Sequence, residues 1–279
     1  MNVYLYSKSG HTIGLDATKK CASLAHYLKE FDPILCTSDF RAGAFAKDLL
    51  EVKKYVNIDV MRNLHNIMRK RDILIYDSPE AGEDMKNDLD TFCTLHIDLN
   101  ENENDIYVDT ILYNENCEKT LEKTVFFGDD DYGNHFLKAV EDMQLKSNDN
   151  LLMGHYFFLG NESIFEEKFK SAIDEEEYVE TIQSSKYLLT GSIQAAYESI
   201  SCGNKPVMLL RTDKQYNLNL INSIGIPTIE YTDLQTNLEE FDKITNNYPS
   251  LNELNIVDFK PIKEEIKAQL ELFNKLIGN

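Results

Sequence analysis

The chain has 279 residues, 42% of them apolar, so it is long enough for two well-filled domains on the usual prior of about 150 residues per domain. Its 28 Lys and Arg against 48 Asp and Glu give a formal charge of −20, which disfavours nucleic acid and anionic lipid as partners. No apolar run reaches the roughly 18 residues of a membrane span, and the opening residues alternate like a strand rather than a signal peptide. We therefore expect a cytoplasmic protein.

The cysteines are few, scattered and odd in number: Cys21, Cys36, Cys93, Cys117 and Cys202. None forms a CxxC pair, and no histidine lies at an interval typical of a zinc site. This pattern predicts ordinary thiols in a reducing cytoplasm rather than a zinc site, and we expect no cofactor.

The first half of the chain alternates between strand and helix patterns. A β-rich run at Val3–Ser7 leads into a polar loop with two glycines and then into a helical pattern over 16–31. After these come, in chain order, a strand at 33–36, helices at 44–55 and 61–70, a strand at 73–76, a helix at 84–92 and strands at 94–99 and 110–113.

The second half repeats this alternation after a polar segment, 114–123, that has no apolar periodicity. The predicted strands are 124–127, 151–159, 187–190, 207–211 and 228–230. One helix is predicted after Gly133, and five more are predicted at 163–172, 175–184, 193–201, 216–223 and 263–276.

Repeated strand–helix alternation favours parallel sheets with helices on both faces. We predict two doubly wound, Rossmann-like α/β domains facing a cleft, the first formed by residues 1–117 and the second by residues 118–279. The final helix can pack back toward the first domain. Ligands of such sheets bind beyond the carboxyl ends of the strands.

The first loop reads SKSGHTIGLDATKK and is either a ligand-facing turn or a plain strand-to-helix connection. Gly10 and Gly14 permit a tight turn in which backbone amides approach a ligand. His11 is suited to general acid–base chemistry near neutral pH, and Asp16 opens the next helix.

Two further turns follow strands of the second half. In FFGDDDYGN, Gly128 precedes three acidic residues, 129–131, that could either hold a magnesium ion or form a solvated turn. In TGSIQAAYESISCG, Gly191 and Ser192 lead into a helix whose start can face a phosphate, and Glu198 is placed to bind a ribose diol or to lie exposed.

The segment that follows, DKQYNLNL, supplies Gln215 as a neutral hydrogen-bonding group, which could equally be a surface residue. Together with the opening MNVYLYSKSGHTIGLDATKKCASLA and with DILIYDSPE, these motifs resemble the PseG-like UDP-sugar hydrolases of the pseudaminic acid pathway. That family belongs to the GT-B superfamily, which includes the MurG-like glycosyltransferases.

The resemblance implies a GT-B architecture in which the C-terminal domain holds UDP and the N-terminal loop faces the sugar. On matching positions, Glu198 takes the ribose, Ser192 with the helix start takes the phosphates, and Gly128 forms a phosphate-facing turn. Gly14 and Asp77 fall on the sugar side, and no metal is required.

The chain departs from this family at the catalytic position, because Asp16 and Ala17 stand where the family has Gly-His. Three functions stay open. The first is a nucleotide-sugar hydrolase, in surface glycan or nonulosonic acid biosynthesis, with His11 or Asp16 as its base. The second is a GT-B glycosyltransferase, and the third is a non-catalytic protein that binds a sugar nucleotide or a partner protein.

Overall fold

The computed structural model describes residues 1–157 and 160–277, and for residue 277 it describes the backbone only. The chain forms two compact units. The first contains residues 1–10, 17–109 and the stretch that begins at 256, and the second contains residues 11–16 and 110–255.

The boundary between the units falls earlier in the chain than the predicted division after residue 117. Residues that follow Asp109 bond to the second unit, since Leu112 O accepts from Gln183 Nε2 (2.7 Å) and Tyr113 O accepts from Ser201 Oγ (2.8 Å). The stretch from 256 returns to the first unit, where Val257 N donates to Ile106 O (2.9 Å).

The first unit is built on a five-stranded parallel sheet in the order β3-β2-β1-β4-β5. The two central strands, β1 and β4, are buried along their whole length, as expected for parallel strands covered on both faces. The strands are β1 (Val3–Ser7), β2 (Ile34–Thr37), β3 (Tyr55–Asn57), β4 (Ile73–Asp77) and β5 (Leu95–Asp98).

Three helices connect strands of this sheet: α1 (Asp16–Tyr27), α2 (Phe40–Leu49) and α3 (Glu83–Phe92). The last helix, α10 (Lys260–Ile277), also belongs to this unit, and its Lys263 and Lys267 pair with Glu30. Helix α2 begins where it does because Asp39 caps it, accepting from Arg41 N (2.7 Å). Short 3₁₀ helices lie at Lys29–Phe31 and Met61–Asn66.

The second unit has a six-stranded parallel sheet in the order β11-β10-β9-β6-β7-β8. Its strands are β6 (Leu121–Phe126), β7 (Asn150–Leu152), β8 (Ser171–Ile173), β9 (Ser185–Thr190), β10 (Lys205–Leu210) and β11 (Thr228–Glu230). If the strands β6 to β11 are numbered 1 to 6 and the sheet is read from β8 to β11, the order is 3-2-1-4-5-6, which is that of the Rossmann fold. The chain reverses its direction of winding between β6 and β9, which are neighbours in the sheet.

The helices of this unit are α4 (His135–Glu141), α5 (Glu162–Lys168), α6 (Tyr178–Ser184), α7 (Ile193–Ser201), α8 (Leu218–Ile224) and α9 (Leu234–Asn246), with a 3₁₀ helix at Glu175–Glu177. Side-chain caps fix where three of them start: Ser192 for α7, Asn217 for α8 and Asp233 for α9. Gly225, at φ +83°, ends α8.

Most predicted elements match, but some are wrong. The helix predicted at 44–55 ends at Leu49, and its tail is the edge strand β3; likewise, the end of the helix predicted at 163–172 is part of β8. Residues 110–113 form a turn, and α9 was not predicted. The strand predicted at 151–159 is only β7, and residues 158 and 159 lie outside the described residues.

Each unit has its own apolar core against its sheet. In the core of the second unit, Phe136 stacks on Phe127 and on Phe169. All five cysteines are free thiols. In the described part of the chain, none of the helices combines the length and apolarity needed to cross a membrane.

Candidate functional site

The candidate site lies in the second unit, at the carboxyl ends of β6, β9 and β10. In open α/β sheets, ligands bind at this edge where the winding reverses. The segments that leave these strands are 127–131 after β6, 191–192 after β9 and 211–214 after β10. The predicted residues Gly128, Gly191 and Ser192 therefore share one edge of one sheet.

Both glycines are required by close packing at this edge. Gly128 has φ +131°, and a Cβ atom there would lie 2.9 Å from Asp130 Oδ1 and 3.2 Å from Arg211 Nη1. A Cβ atom on Gly191 would lie 2.5 Å from Phe127 O and 2.8 Å from Arg211 Cδ. Side chains are thus excluded on both sides of Arg211, which leaves the backbone close to this cation.

Arg211 is the central charge of the site and is 4% exposed. Its Nη1 donates to Asp130 Oδ1 (2.7 Å), while its Nε and Nη2 donate to the two carboxylate oxygens of Asp213 (3.0 and 2.6 Å). Burial lowers the pKa of the guanidinium, but the bonds to Asp213 and Asp130 outweigh burial and leave it raised. Lys214 Nζ also approaches Asp130 Oδ1 (3.1 Å), so two cations converge on one carboxylate.

Tyr216 holds the turn after β10 in place. Its hydroxyl bonds to Gly191 O (3.1 Å) and Leu209 O (3.2 Å), and it accepts from Arg211 N (3.3 Å). Burial raises the pKa of this hydroxyl to about 12, so it stays protonated at neutral pH. The hydroxyl therefore ties the turns after β9 and β10 to each other.

Ser192 and Asp16 meet at the start of α7. Ser192 Oγ caps the helix by accepting from Ala195 N (3.1 Å), and it donates to Asp16 Oδ1 (2.7 Å). A carboxylate is favourable at this position because the helix start carries a partial positive charge. An anionic ligand at the same helix start would therefore meet the charge of Asp16.

Glu198 is 2% exposed, unlike the open carboxylate that ribose binding needs. Gln194, one helical turn earlier, donates to its Oε1 (3.1 Å), and the buried hydroxyl of Tyr178 donates to its Oε2 (2.6 Å). Burial and the neighbouring carboxylate raise the pKa of Tyr178 well above its usual value. Both oxygens of Glu198 thus bond to the protein, and this contact joins α6 to α7.

The first loop brings its residues to the acidic turn. His11 is exposed, with its ring 4.2 Å from the ring of Tyr132. Gly14 has φ +88°, and the nearest atom to a Cβ built there is Asp130 Cβ at 3.6 Å. Gln215, in the loop after β10, is exposed.

The three carboxylates of the acidic turn point to different partners. Asp129 accepts from His155 N (3.1 Å), and Asp130 faces the two cations. Asp131 accepts from the backbone N–H groups of residues 135 and 136 (2.8 and 2.9 Å), while its burial raises its pKa. Residues 1–157 and 160–277 contain no group of three His, Cys, Asp or Glu side chains arranged for a metal ion.

Asp77 belongs to the first unit and ends β4. Its carboxylate accepts from Asn100 Nδ2 (2.6 Å) and pairs with Lys20 Nζ (3.0 Å), so it is held rather than open. Lys8 and Glu80 form a second ion pair at this edge (2.5 Å). Asp77 therefore lies at the carboxyl edge of its own sheet, with a fixed orientation.

A cavity of about 180 Å³ adjoins the site and is lined by Phe127, His135, Arg211, Thr212, Asp213 and Tyr231. The guanidinium of Arg211 lies over the Phe127 ring at 4.2 Å. The sequence reasoning missed Arg211 and Lys214. The sequence motif that could have indicated them is RTDK, residues 211–214, which places two cations directly after a buried strand in a strongly acidic chain.

No family model matches the chain, and neither does any curated protein. Among solved structures, the chain is similar to the UDP-GlcNAc 2-epimerase of Methanocaldococcus jannaschii in complex with UDP-GlcNAc and UDP. The TM-score is 0.55 at 10% identity, covering 97% of this chain and 100% of that chain. It is also similar to the E. coli heptosyltransferase WaaC with ADP, with a TM-score of 0.49 at 8% identity, covering 88% and 98% of the two chains.

The first of these likenesses bears on the fold. It covers 97% of this chain and therefore includes both parallel sheets. The predicted fold class is confirmed: the chain consists of two Rossmann-like α/β domains of the GT-B class.

Proposed function

We propose that this chain binds a nucleotide sugar, with UDP-sugars as the class, and hydrolyses it. The observation that carries the proposal is the pair of cations, Arg211 and Lys214, that meets at Asp130 beside two glycines at the winding reversal of the second sheet. The diphosphate of the ligand would occupy this edge. The UDP-GlcNAc 2-epimerase that shares the fold was solved with UDP-GlcNAc and UDP, which supports the same ligand class.

A diphosphate fits this edge because of its charge. Arginine and lysine bind phosphate oxygens through charge-assisted hydrogen bonds, and here both lie in a chain whose net charge is −20. A diphosphate carries more negative charge than the single carboxylate of Asp130 that now faces both cations. The ligand would therefore compete with Asp130 for Lys214, whose side chain is 19% exposed and freer to move than Arg211.

Other predicted residues take supporting roles. Ser192 and the start of α7 would face a phosphate once Asp16 moves aside, and the exposed amide of Gln215 would reach ligand hydroxyls. Glu198 is assigned to the contact between α6 and α7 instead of to the ribose, since both its oxygens are engaged.

Hydrolysis requires a base that can orient water near the sugar. His11 is the candidate, because its ring is exposed beside Tyr132 and the acidic turn. Asp16 is the second candidate, although Ser192 already holds one of its oxygens (2.7 Å). The resemblance to the PseG-like hydrolases supports hydrolysis and places the reaction in surface glycan or nonulosonic acid biosynthesis.

One observation favours a second candidate, a protein that binds a sugar nucleotide without turnover. Ala17 cannot relay a proton, and one carboxylate oxygen of Asp16 is already bonded to Ser192, the cap of α7. This alternative predicts the same binding site but no release of UDP.

The experiment is a calorimetric titration with UDP, with and without magnesium, followed by an assay for UDP release from UDP-N-acetyl sugars. The proposal expects binding that does not depend on magnesium, and release that falls about 100-fold or more in His11→Ala, as is usual for the loss of a general base. Binding without release would select the non-catalytic candidate. No binding of UDP would contradict the proposal.

A further inference from the structure

The first loop of the chain places a carboxylate at the start of α7. Residues 11–16 pack with the second unit, although the residues on either side of them belong to the first. The half-buried Asp16 accepts a hydrogen bond from Ser192 Oγ (2.7 Å), and Ser192 in turn accepts from Ala195 N (3.1 Å). Asp16 therefore lies where a helix start favours an anion.

The start of α7 adjoins the cations of the proposed phosphate site. A Cβ atom built on Gly191 would lie 2.8 Å from Arg211 Cδ, and the Tyr216 hydroxyl bonds to both residues (3.1 Å to Gly191 O, 3.3 Å to Arg211 N). Burial raises the pKa of Tyr216 and that of Tyr197 in α7, and the negative charge of Asp16 raises both further. Asp16 and the cations thus act electrostatically on one edge of the same sheet.

These charges have opposite effects on a bound diphosphate. Arg211 and Lys214 attract its negative charges, whereas Asp16 repels them. The terminal phosphate is the reacting end of the ligand, and the proposed base His11 lies on the same loop as Asp16, so this phosphate is the one that faces Asp16. A free terminal phosphate carries about two negative charges at neutral pH, and an esterified one carries about one.

Given the proposed function, we propose that Asp16 is a specificity-determining residue that disfavours the free nucleoside diphosphate relative to its sugar ester. Specificity can be built from a repulsive element directed against the wrong ligand. A carboxylate held beside the terminal phosphate by Ser192 is such an element, because its repulsion grows with the charge of that phosphate. The same repulsion would speed release of the nucleoside diphosphate once the sugar has left.

A structural role for Asp16 predicts a different outcome. Asp16 is also the first residue of α1, where an acidic side chain is favourable. If this were its whole contribution, replacing it would change stability, but the ratio of affinities for two ligands of different charge would stay the same.

The test is calorimetric titration of wild type, Asp16→Asn and the control Glu240→Gln with UDP and with the β-methyl ester of UDP. The two ligands share the uridine and the diphosphate, and they differ in the charge of the terminal phosphate. Asp16→Asn should tighten UDP about fivefold more than the methyl ester, which is the effect of a unit charge about 4 Å away in bulk water. Glu240 is exposed in α9, so its replacement removes the same charge and should leave the ratio at the wild-type value.

Two further variants separate charge from folding. Asp16→Ser keeps a side chain that can cap a helix and should change the ratio as Asp16→Asn does. Asp16→Glu restores the charge and should return the ratio toward that of wild type.

Equal tightening of both ligands in Asp16→Asn would overturn the inference, since it would show competition without selection by charge. Unchanged affinities in the Asn and Ser variants, both shown folded by circular dichroism, would also overturn it while leaving the proposed function intact. If neither ligand binds wild type, the proposed function fails and the role of Asp16 fails with it.

Discussion

Replacing Tyr178 by phenylalanine tests whether Glu198 belongs to the protein interior. The substitution deletes one hydroxyl that donates to the carboxylate at 2.6 Å, in surroundings where Glu198 is 2% exposed and water cannot take its place. A hydrogen bond to a charged group contributes about 1.5–3 kcal/mol, and a buried acceptor left without it loses this amount. For a unit of this size, a loss of 2 kcal/mol corresponds to a melting temperature lower by about 4–8 °C.

Tyr248→Phe is the matched control, because the hydroxyl of Tyr248 also donates at 2.6 Å in the same unit, but to the neutral carbonyl of Pro206. Its loss should cost only about 0.5–1.5 kcal/mol. Urea and thermal unfolding of both variants give the comparison, and UDP affinity is measured alongside. If Tyr178→Phe loses no more stability than Tyr248→Phe while its UDP affinity changes, Glu198 acts on the ligand and the structural assignment is wrong.

Three further substitutions probe the site and the first unit. Gly191→Ala places a Cβ atom against Phe127 O at 2.5 Å, so we expect a loss of about 1–3 kcal/mol in urea unfolding together with weaker UDP binding. Asp130→Asn keeps the shape but removes the competing charge, so calorimetry should show tighter UDP binding than in wild type. At Glu80, burial raises the pKa, but the bonds from Lys8 and a backbone N–H lower it more, so the net pKa lies below the usual 4.5. Ionised Glu80 therefore contributes its full stabilisation at pH values above its usual pKa, and this contribution is lost as the pH falls through the lowered pKa. In Glu80→Gln, the free energy of unfolding measured in urea should consequently fall less between pH 6 and pH 3 than in wild type.

The sequence predicted those parts of the site that depend on local patterns. A strand followed by a glycine turn is visible in the chain itself, so Gly128, Gly191 and Ser192 were placed together at one sheet edge. The start and end of α7 were also predicted correctly, because its cap and its glycine stop lie within one segment. The Rossmann alternation rests on the same kind of local signal.

Long-range contacts were beyond the reach of local patterns. Arg211 pairs with Asp130, 81 residues earlier, and Glu198 bonds to Tyr178 from a different helix. The spacing of Glu198 in its helix predicted a ribose contact, but the side chain is buried against Tyr178, a partner that spacing within one helix does not show.

The central claim is that a nucleoside diphosphate binds where Arg211 and Lys214 converge. The most direct measurement is calorimetric titration of UDP into wild type, Lys214→Ala and the control Lys243→Ala, which changes an exposed lysine in α9 without a described partner. Because a hydrogen bond to a charged group contributes about 1.5–3 kcal/mol, Lys214→Ala should weaken UDP about tenfold or more, while Lys243→Ala leaves the affinity unchanged. Equal affinities for all three proteins would contradict the claim.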